Sequence, residues 1–209
     1  MRFIPLLALT SVIAQAAPDT TVLDAWLKRQ TSVTSLEASF TQERKLPSLK
    51  SPVSTPGKLM MQRPDKLRWE LGSPIETLAV SDGTTMTLLQ ASDKSARQVG
   101  TESPQAKQFS FLGGNALASP EAFREAFEIT DWRVSSGIHQ YTLQPKERRM
   151  RANVPWVFLD IDPASNELRA LELEMKDKSR IRTVFTNTKL NGKLPTSAFK
   201  ADLTGYTLK

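Results

Sequence analysis

The stretch from Gly57 to Trp69 reads Gly-Lys-Leu-Met-Met-Gln-Arg-Pro-Asp-Lys-Leu-Arg-Trp, and it restricts the fold more than any other part of the chain. Successive side chains of a β-strand point to opposite faces, so alternation along it sorts residues into two sets. Leu59, Met61 and Arg63, then Leu67, Trp69 and Leu71 after a Pro64-Asp65 turn, share one apolar face. Lys58, Gln62, Lys66, Arg68 and Glu70 fall mostly on the other. One guanidinium, Arg63, is thereby set among large apolar side chains. A half-buried Arg is costly unless something pairs with it. Arg63 is therefore either a structural tie or a latch, and its apolar neighbours are a candidate binding surface.

The rest of the chain reads as mainly β. Leu23, Trp26, Leu27 and Gln30 make one face of a short amphipathic helix, Thr21 to Gln30. Alternation of Leu36, Ala38 and Phe40 with Glu37, Ser39 and Thr41 starts a strand near Ser35. Lys45 to Pro56 holds three prolines and reads as a loop or irregular edge. Strands are expected at Thr77 to Val80 and Thr84 to Gln90, joined at Ser81-Asp82-Gly83, because Asp-Gly favours a hairpin. Two short helices follow, Pro104 to Leu112 and Ser119 to Phe127, separated by Gly113-Gly114; Ser119 is the expected N-cap and Pro120 the first helical residue. Strands resume from Trp132: Tyr141 to Gln144, Trp156 to Ile161, Glu167 to Met175, Ile181 to Leu190, and a last one near Phe199. There is no repeat, low-complexity segment or linker. The expected architecture is a single-domain, curved antiparallel sheet, an incomplete barrel, with a few short helices as a lid over an apolar cavity.

Leu59, Met61, Leu67, Trp69 and Leu71 are the expected lining, with Phe109 and Leu112 offered by the helix Pro104 to Leu112 as the lid's underside. Flexible Met side chains suit poorly shaped partners such as acyl chains. For any single one of these residues, an ordinary place in the core is the simpler reading.

The N-terminus points to export. Met1-Arg2 is a basic start, Phe3 to Ala14 is apolar apart from Thr10 and Ser11, and Ala14-Gln15-Ala16 fits a small-x-small cleavage pattern. Residues 1–16 are read as a signal peptide, too short to span a bilayer, and residues 17–209 as the exported mature domain. The 209 residues contain no cysteine, which excludes disulfide stapling and a lipidated N-terminal Cys. The formal charge of +6 could favour anionic partners such as lipid headgroups, although a basic, solvated surface is the simpler reading. Only Lys146 to Arg151 cluster, so no nucleic-acid partner is expected.

Catalytic signals are scarce. The lone histidine, His139, has no nucleophile motif beside it. Asp160 and Asp162 share a strand face and could hold a hard cation, but such a pair more simply ends an exposed strand beside Pro163. No phosphate loop, dinucleotide fingerprint, zinc spacing or EF-hand loop occurs. A binding protein is expected, with no catalytic residue, metal or cofactor.

The order of several motifs resembles the LolA family of periplasmic outer-membrane lipoprotein carriers. Ser35-Leu36-Glu37-Ala38-Ser39-Phe40-Thr41-Gln42 is similar to the family's early Ser-Phe-x-Ala-x-Phe-x-Gln strand. Gly57-x-Leu59, Arg63-Pro64, Trp69 and Val80-Ser81-Asp82-Gly83 continue it, and Leu143 to Lys146, Lys189 to Phe199 and Gly205 match weakly. The resemblance implies a half-barrel whose cavity shields acyl chains. It implies a monomer that takes acylated lipoproteins or lipids from an inner-membrane exporter and yields them to an outer-membrane acceptor. It also implies that Arg63 ties the lid to the sheet by hydrogen bonds. At Leu67 the family's inward aromatic is replaced by an aliphatic. The Lys45 to Pro56 loop looks closer to a branch found beside other lipid exporters, so carriage or sensing of another lipid or glycolipid stays open, as does a regulatory domain that binds lipoprotein without passing it on.

Overall fold

The computed structural model describes residues 17–101, 103, 106, 117 and 119–209. The expected signal peptide, most of the expected helix Pro104 to Leu112, and Gly113-Gly114 lie outside the described residues.

A helix, α1 (Thr21–Gln30), precedes six strands: β1 (Ser35–Lys45), β2 (Val53–Gln62), β3 (Lys66–Leu71), β4 (Thr77–Asp82), β5 (Thr85–Gln90) and β6 (Ser95–Gly100). Then come α2 (Pro120–Ala126), β7 (Phe127–Ser135), β8 (Ile138–Pro145), α3 (Arg148–Asn153), β9 (Trp156–Asp162), β10 (Glu167–Glu174) and β11 (Arg180–Leu190). A short 3-10 turn, Thr196–Phe199, and β12 (Thr207–Leu208) end the chain. The strands form one open, curved sheet in the order β12-β6-β5-β4-β3-β2-β1-β11-β10-β9-β8-β7. Every pairing is antiparallel except β12 with β6. Register shifts in β1, β7 and β10 add local twist.

The inner face carries the main core. Val157, Leu159 and Ile161 are fully buried there, while Trp156 and Phe158, which alternate with them, are half-exposed on the outer face. Phe158 lies under the Arg180 guanidinium, 5.5 Å from its centroid. α1 lays Leu23, Trp26 and Leu27 on the inner face, and α2 adds Phe123 beside it. Ser119 caps α2 as expected, its hydroxyl accepting from the Ala122 N–H at 3.1 Å.

Several boundaries differ from the sequence reading. The expected loop Lys45 to Pro56 is shorter, because Lys45 ends β1 and Val53–Pro56 open β2. Pro56 is tolerated because β2 overhangs β3 there: its carbonyl accepts from Gly72 N, and β3 pairing begins only at Gly57. β7 starts at Phe127 rather than Trp132. β6, with its polar Ser95-Ala96-Arg97-Gln98 alternation, and the basic α3 were not anticipated. Instead of a strand, the Phe199 region is a 3-10 turn, with Phe199 buried against the outer face.

Candidate binding cavity

The β2–β3 hairpin puts its alternation into register. Leu59 faces Trp69, Met61 faces Leu67 and Gly57 faces Leu71, all on the inner side. Gly57 is required by its partner Phe40: a Cβ there would stand 2.1 Å from the Phe40 ring. The space Gly57 leaves lets that ring lie 4.2 Å from the Trp69 ring. On the other side, Arg68 donates to the Ala198 and Lys200 carbonyls, and Lys66 sits over the Phe199 ring.

Between α1 and the sheet lies a small apolar cavity of about 50 Å³. Trp26 and Gln30 of α1 roof it, with Leu117 beside them. Leu36 and Ala38 of β1, Leu59 and Met61 of β2, and Phe185 and Leu190 of β11 line it. Asn166, Glu167 and Leu168 close the side toward β10.

The roof is held on two sides by side-chain bonds to backbone carbonyls. From the β2–β3 turn, Arg63 donates to the Gln30 carbonyl at 3.1 Å and to the Leu117 carbonyl at 3.5 Å. From the helix itself, Arg29 donates to the Ser165 and Asn166 carbonyls at 2.7 and 3.0 Å, and Asn166 returns a bond to Ala25 O. The N-terminal end is anchored by Tyr141 on β8, whose hydroxyl accepts from Leu23 N at 3.3 Å. Burial pushes the Tyr141 phenol above its ordinary pKa, so it stays a neutral acceptor. Arg124 of α2 pairs with Asp24 of α1. The cavity margin keeps unspent polar capacity: Arg63 Nε and Asn166 Oδ1 are buried with no hydrogen-bond partner among the described residues.

Of the expected lining residues, Leu59 and Met61 border the cavity. Leu67, Trp69 and Leu71 share their face but do not border the cavity: Leu67 is buried in the core, and Trp69 and Leu71 are half-buried against it. Phe109 and Leu112 lie outside the described residues. Trp26, Leu36, Phe185, Arg29 and Asn166 were not anticipated in the site. Trp26 and Leu36 were legible as buried positions, but nothing in the sequence says which other surface they meet. Arg29 and Asn166 carry no signal, because their partners lie more than a hundred residues away.

His139 serves a structural contact, its Nδ1 accepting from the Trp132 indole at 3.1 Å. The two aspartates are committed separately. Asp160 pairs with Arg182, and Asp162 accepts from Arg169 at 2.7 Å. That guanidinium, helped by the Ala164 N–H, holds the Asp162 carboxyl down to about 2. Among the described residues no group of three or more His, Asp or Glu side chains is placed to hold a metal ion.

The sequence model of the family described as outer membrane lipoprotein carrier protein LolA matches residues 31–202. This chain belongs to that family. The LolA match includes the turn that bears Arg63, all of β1 to β6 and the walls of the cavity. A protein named outer-membrane lipoprotein carrier protein from Pseudomonas fluorescens strain Pf-5 is 27% identical over 209 residues, with 97% of this chain and 93% of the relative covered. One of the same name from Bordetella avium is 27% identical over 203 residues, covering 94% and 88%. An uncharacterized conserved protein from Thermus thermophilus superposes with a TM-score of 0.53 at 9% identity, covering 90% of this chain and 96% of that one. That likeness speaks to the LolA-type fold alone.

Proposed function

We propose that this protein is a periplasmic carrier without enzymatic activity. It shields the acyl chains of lipoproteins in the cavity under α1, accepts them from an inner-membrane exporter and yields them to an outer-membrane acceptor. The observation that carries the reading is the apolar cavity roofed by a helix that Arg63 and Arg29 tie down through carbonyls. The names of the two bacterial relatives support it.

Energetics favour this design. Each acyl CH₂ contributes about 0.8 kcal/mol on leaving water, so a membrane anchor cannot cross an aqueous space unshielded. A cavity of about 50 Å³ is far below the ~300–1,000 Å³ of ordinary ligand pockets. Loading therefore displaces α1 from the sheet, and cargo competes with Leu23, Trp26 and Leu27 for the same apolar surface. Hydrogen bonds from Arg63 to the roof add about 1–3 kcal/mol to the closed side. That bias keeps binding reversible, which a carrier needs.

The test is binding of a triacylated lipopeptide and of a fluorescent long-chain fatty acid. Both should bind with low-micromolar affinity or weaker, and Met61→Asp should abolish binding by placing a carboxylate in the cavity. Met61 is preferred over Trp69 because Trp69 supports Phe40 in the core. Fatty acid bound without lipopeptide would reassign the cargo to another lipid. Neither ligand binding, or Met61→Asp binding normally, would defeat the carrier reading.

A further inference from the structure

The turns of the sheet divide between two opposite rims, and the two differ in charge and in exposed apolar surface. The cavity opens near the rim that carries turns 31–34, 63–65, 83–84, 136–137 and 163–166. Together with residues 191–195, which leave β11 at this rim, those turns hold two cations, Arg63 and Lys193, and one carboxylate, Asp65. The far rim carries connections 46–52, 72–76, 91–94, 146–155 and 175–179. There Lys146, Arg148, Arg149 and Arg151 stand against Glu147 in the β8–β9 connection. The β10–β11 turn adds Lys176 and Lys178 against Asp177, and the other connections add Lys50 and Lys94 against Glu76 and Asp93, so this rim holds eight cations and four carboxylates. The Lys176 N–H bonds to Asn153 O, joining the turn to α3. Arg148, Arg149 and Lys176 are exposed and have no carboxylate partner among the described residues.

Exposed aliphatic side chains follow the same division. Among the described residues, the exposed large apolar side chains are Leu49, Val53, Ile75, Val134 and Leu208. All but Val134 stand at the far rim: Leu49 and Val53 at the β1–β2 connection, Ile75 in the β3–β4 turn, and Leu208 beside the start of β6. Lys50 separates Leu49 from Val53 in the sequence. From β2 to β9 the rim crosses four interstrand steps, about 19 Å at ~4.8 Å each.

We propose that this far rim docks the protein on the surface of an anionic phospholipid bilayer. Unpaired cations meet the lipid phosphates, and Leu49, Val53 and Ile75 enter the headgroup layer. A fluid interface accepts single aliphatic side chains scattered along a row of loops. A folded protein partner needs a contiguous complementary patch, which these separated residues do not make. Docking by this rim leaves the α1 rim turned away from the bilayer and free to meet a protein. None of these rim residues lines the cavity, so the rim can dock whether or not the cavity carries lipid.

The test is co-sedimentation of the full mature chain with vesicles of phosphatidylcholine alone and of phosphatidylcholine mixed with phosphatidylglycerol. Binding should require phosphatidylglycerol and weaken steeply with added salt. Arg148→Gln with Arg149→Gln should weaken it about twenty-five-fold, near fivefold for each cation lost. Leu49→Asp with Ile75→Asp should weaken it by about tenfold or more. All these variants should keep the wild-type Tm and fatty-acid binding. Met61→Asp should still sediment with the vesicles. No binding to phosphatidylglycerol vesicles, equal binding to phosphatidylcholine alone, or wild-type binding by both rim variants would overturn the proposal. Loss of sedimentation in Met61→Asp would also overturn it, because the lipid would then be entering through the cavity.

Discussion

The sheet wears a cover on each face, and the two covers are held in different ways. On the inner face, α1 inserts Leu23, Trp26 and Leu27, none more than 3% exposed, and is tied by Arg29, Arg63, Asn166 and Tyr141. On the outer face, the segment after β11 lays Ala201, Leu203 and Tyr206, all half-buried, over a small patch of Leu78, Val80, Leu89 and Ala96. Arg68 and the Lys209–Asp93 pair are its main polar ties. Under α1 the space is apolar and about 50 Å³. Under the outer segment is a recess of about 420 Å³ with Lys66, Asp82, Thr85 and Gln98 on its walls. A dry, tightly filled interface gains most from the groups that cover it, so displacing α1 needs an apolar replacement. The outer cover buries a smaller apolar patch and spans a recess with polar walls, so its loss exposes less apolar surface.

The largest expected effect separates the covers by stability. Leu27→Ala, at a fully buried position of α1, should cost about 3 kcal/mol in chemical denaturation. Leu203→Ala in the outer cover should cost about 1 kcal/mol or less, since that side chain is only half-buried. Equal losses would erase the distinction.

Gly57→Ala probes the floor beneath α1. Its Cβ would collide with the Phe40 ring, so the ring must shift and disturb its stacking on Trp69. We expect a loss of about 1–3 kcal/mol and an altered near-ultraviolet tryptophan signal. An unchanged signal at wild-type stability would show that the close approach is not needed.

Arg63→Leu tests whether the α1 ties act on the open–closed balance. The fold should survive within about 1 kcal/mol, because an aliphatic side chain suits that apolar face. Fatty acid should bind about five- to tenfold tighter and leave more slowly, as the closed state loses about 1 kcal/mol or slightly more of support. Arg68→Met, which releases the outer cover instead, should leave fatty-acid affinity unchanged. Transfer of cargo by Arg63→Leu at the wild-type rate would remove the latch role.

The smallest effect is a pH difference. Asp93 is held down at about 2 by the Lys209 ammonium and the Ser95 hydroxyl. Its folded value lies below the unfolded one, so its contribution is present above the ordinary carboxylate range. It is lost as pH falls toward 2. The Arg29 and Arg63 bonds go to carbonyls, which do not titrate in that range. Between about pH 4 and 2, amide protection should therefore be lost first at Thr207 to Lys209, while Trp26 to Gln30, beside the Arg29 and Arg63 ties, stay protected. Earlier exchange in α1 would reverse the assignment.

Much of the fold was legible because it rests on local periodicity. The helix Thr21–Gln30 and the start of β1 at Ser35 appear where the apolar spacing puts them. The Ser119 cap and the two sets of β2–β3 side chains do too, since a strand's faces follow from period two alone. Legibility failed where local pattern is weak or tertiary context overrides it. β6 has no apolar alternation to announce it and forms by pairing with β5. Phe199 looked like a strand residue, yet it is buried because the returning chain lays it over the outer face of β3. Leu67, Trp69 and Leu71 were correctly sorted to the inner face but not to the cavity, because period two gives a side and not a depth.

By itself the sequence determined which side chains face inward, where the chain turns, and that Arg63 sits among apolar groups. Those properties depend on neighbours a few residues apart. The tertiary structure alone decided that Arg63 meets Gln30 and Leu117, that Arg29 meets Ser165 and Asn166, and that the cavity lies under Trp26. Only the tertiary structure, too, gathered the cations of α3 and the β10–β11 turn with Leu49 and Ile75 at one rim. These contacts join segments far apart in the chain. Their geometry follows from strand order and sheet curvature, which no local spacing encodes.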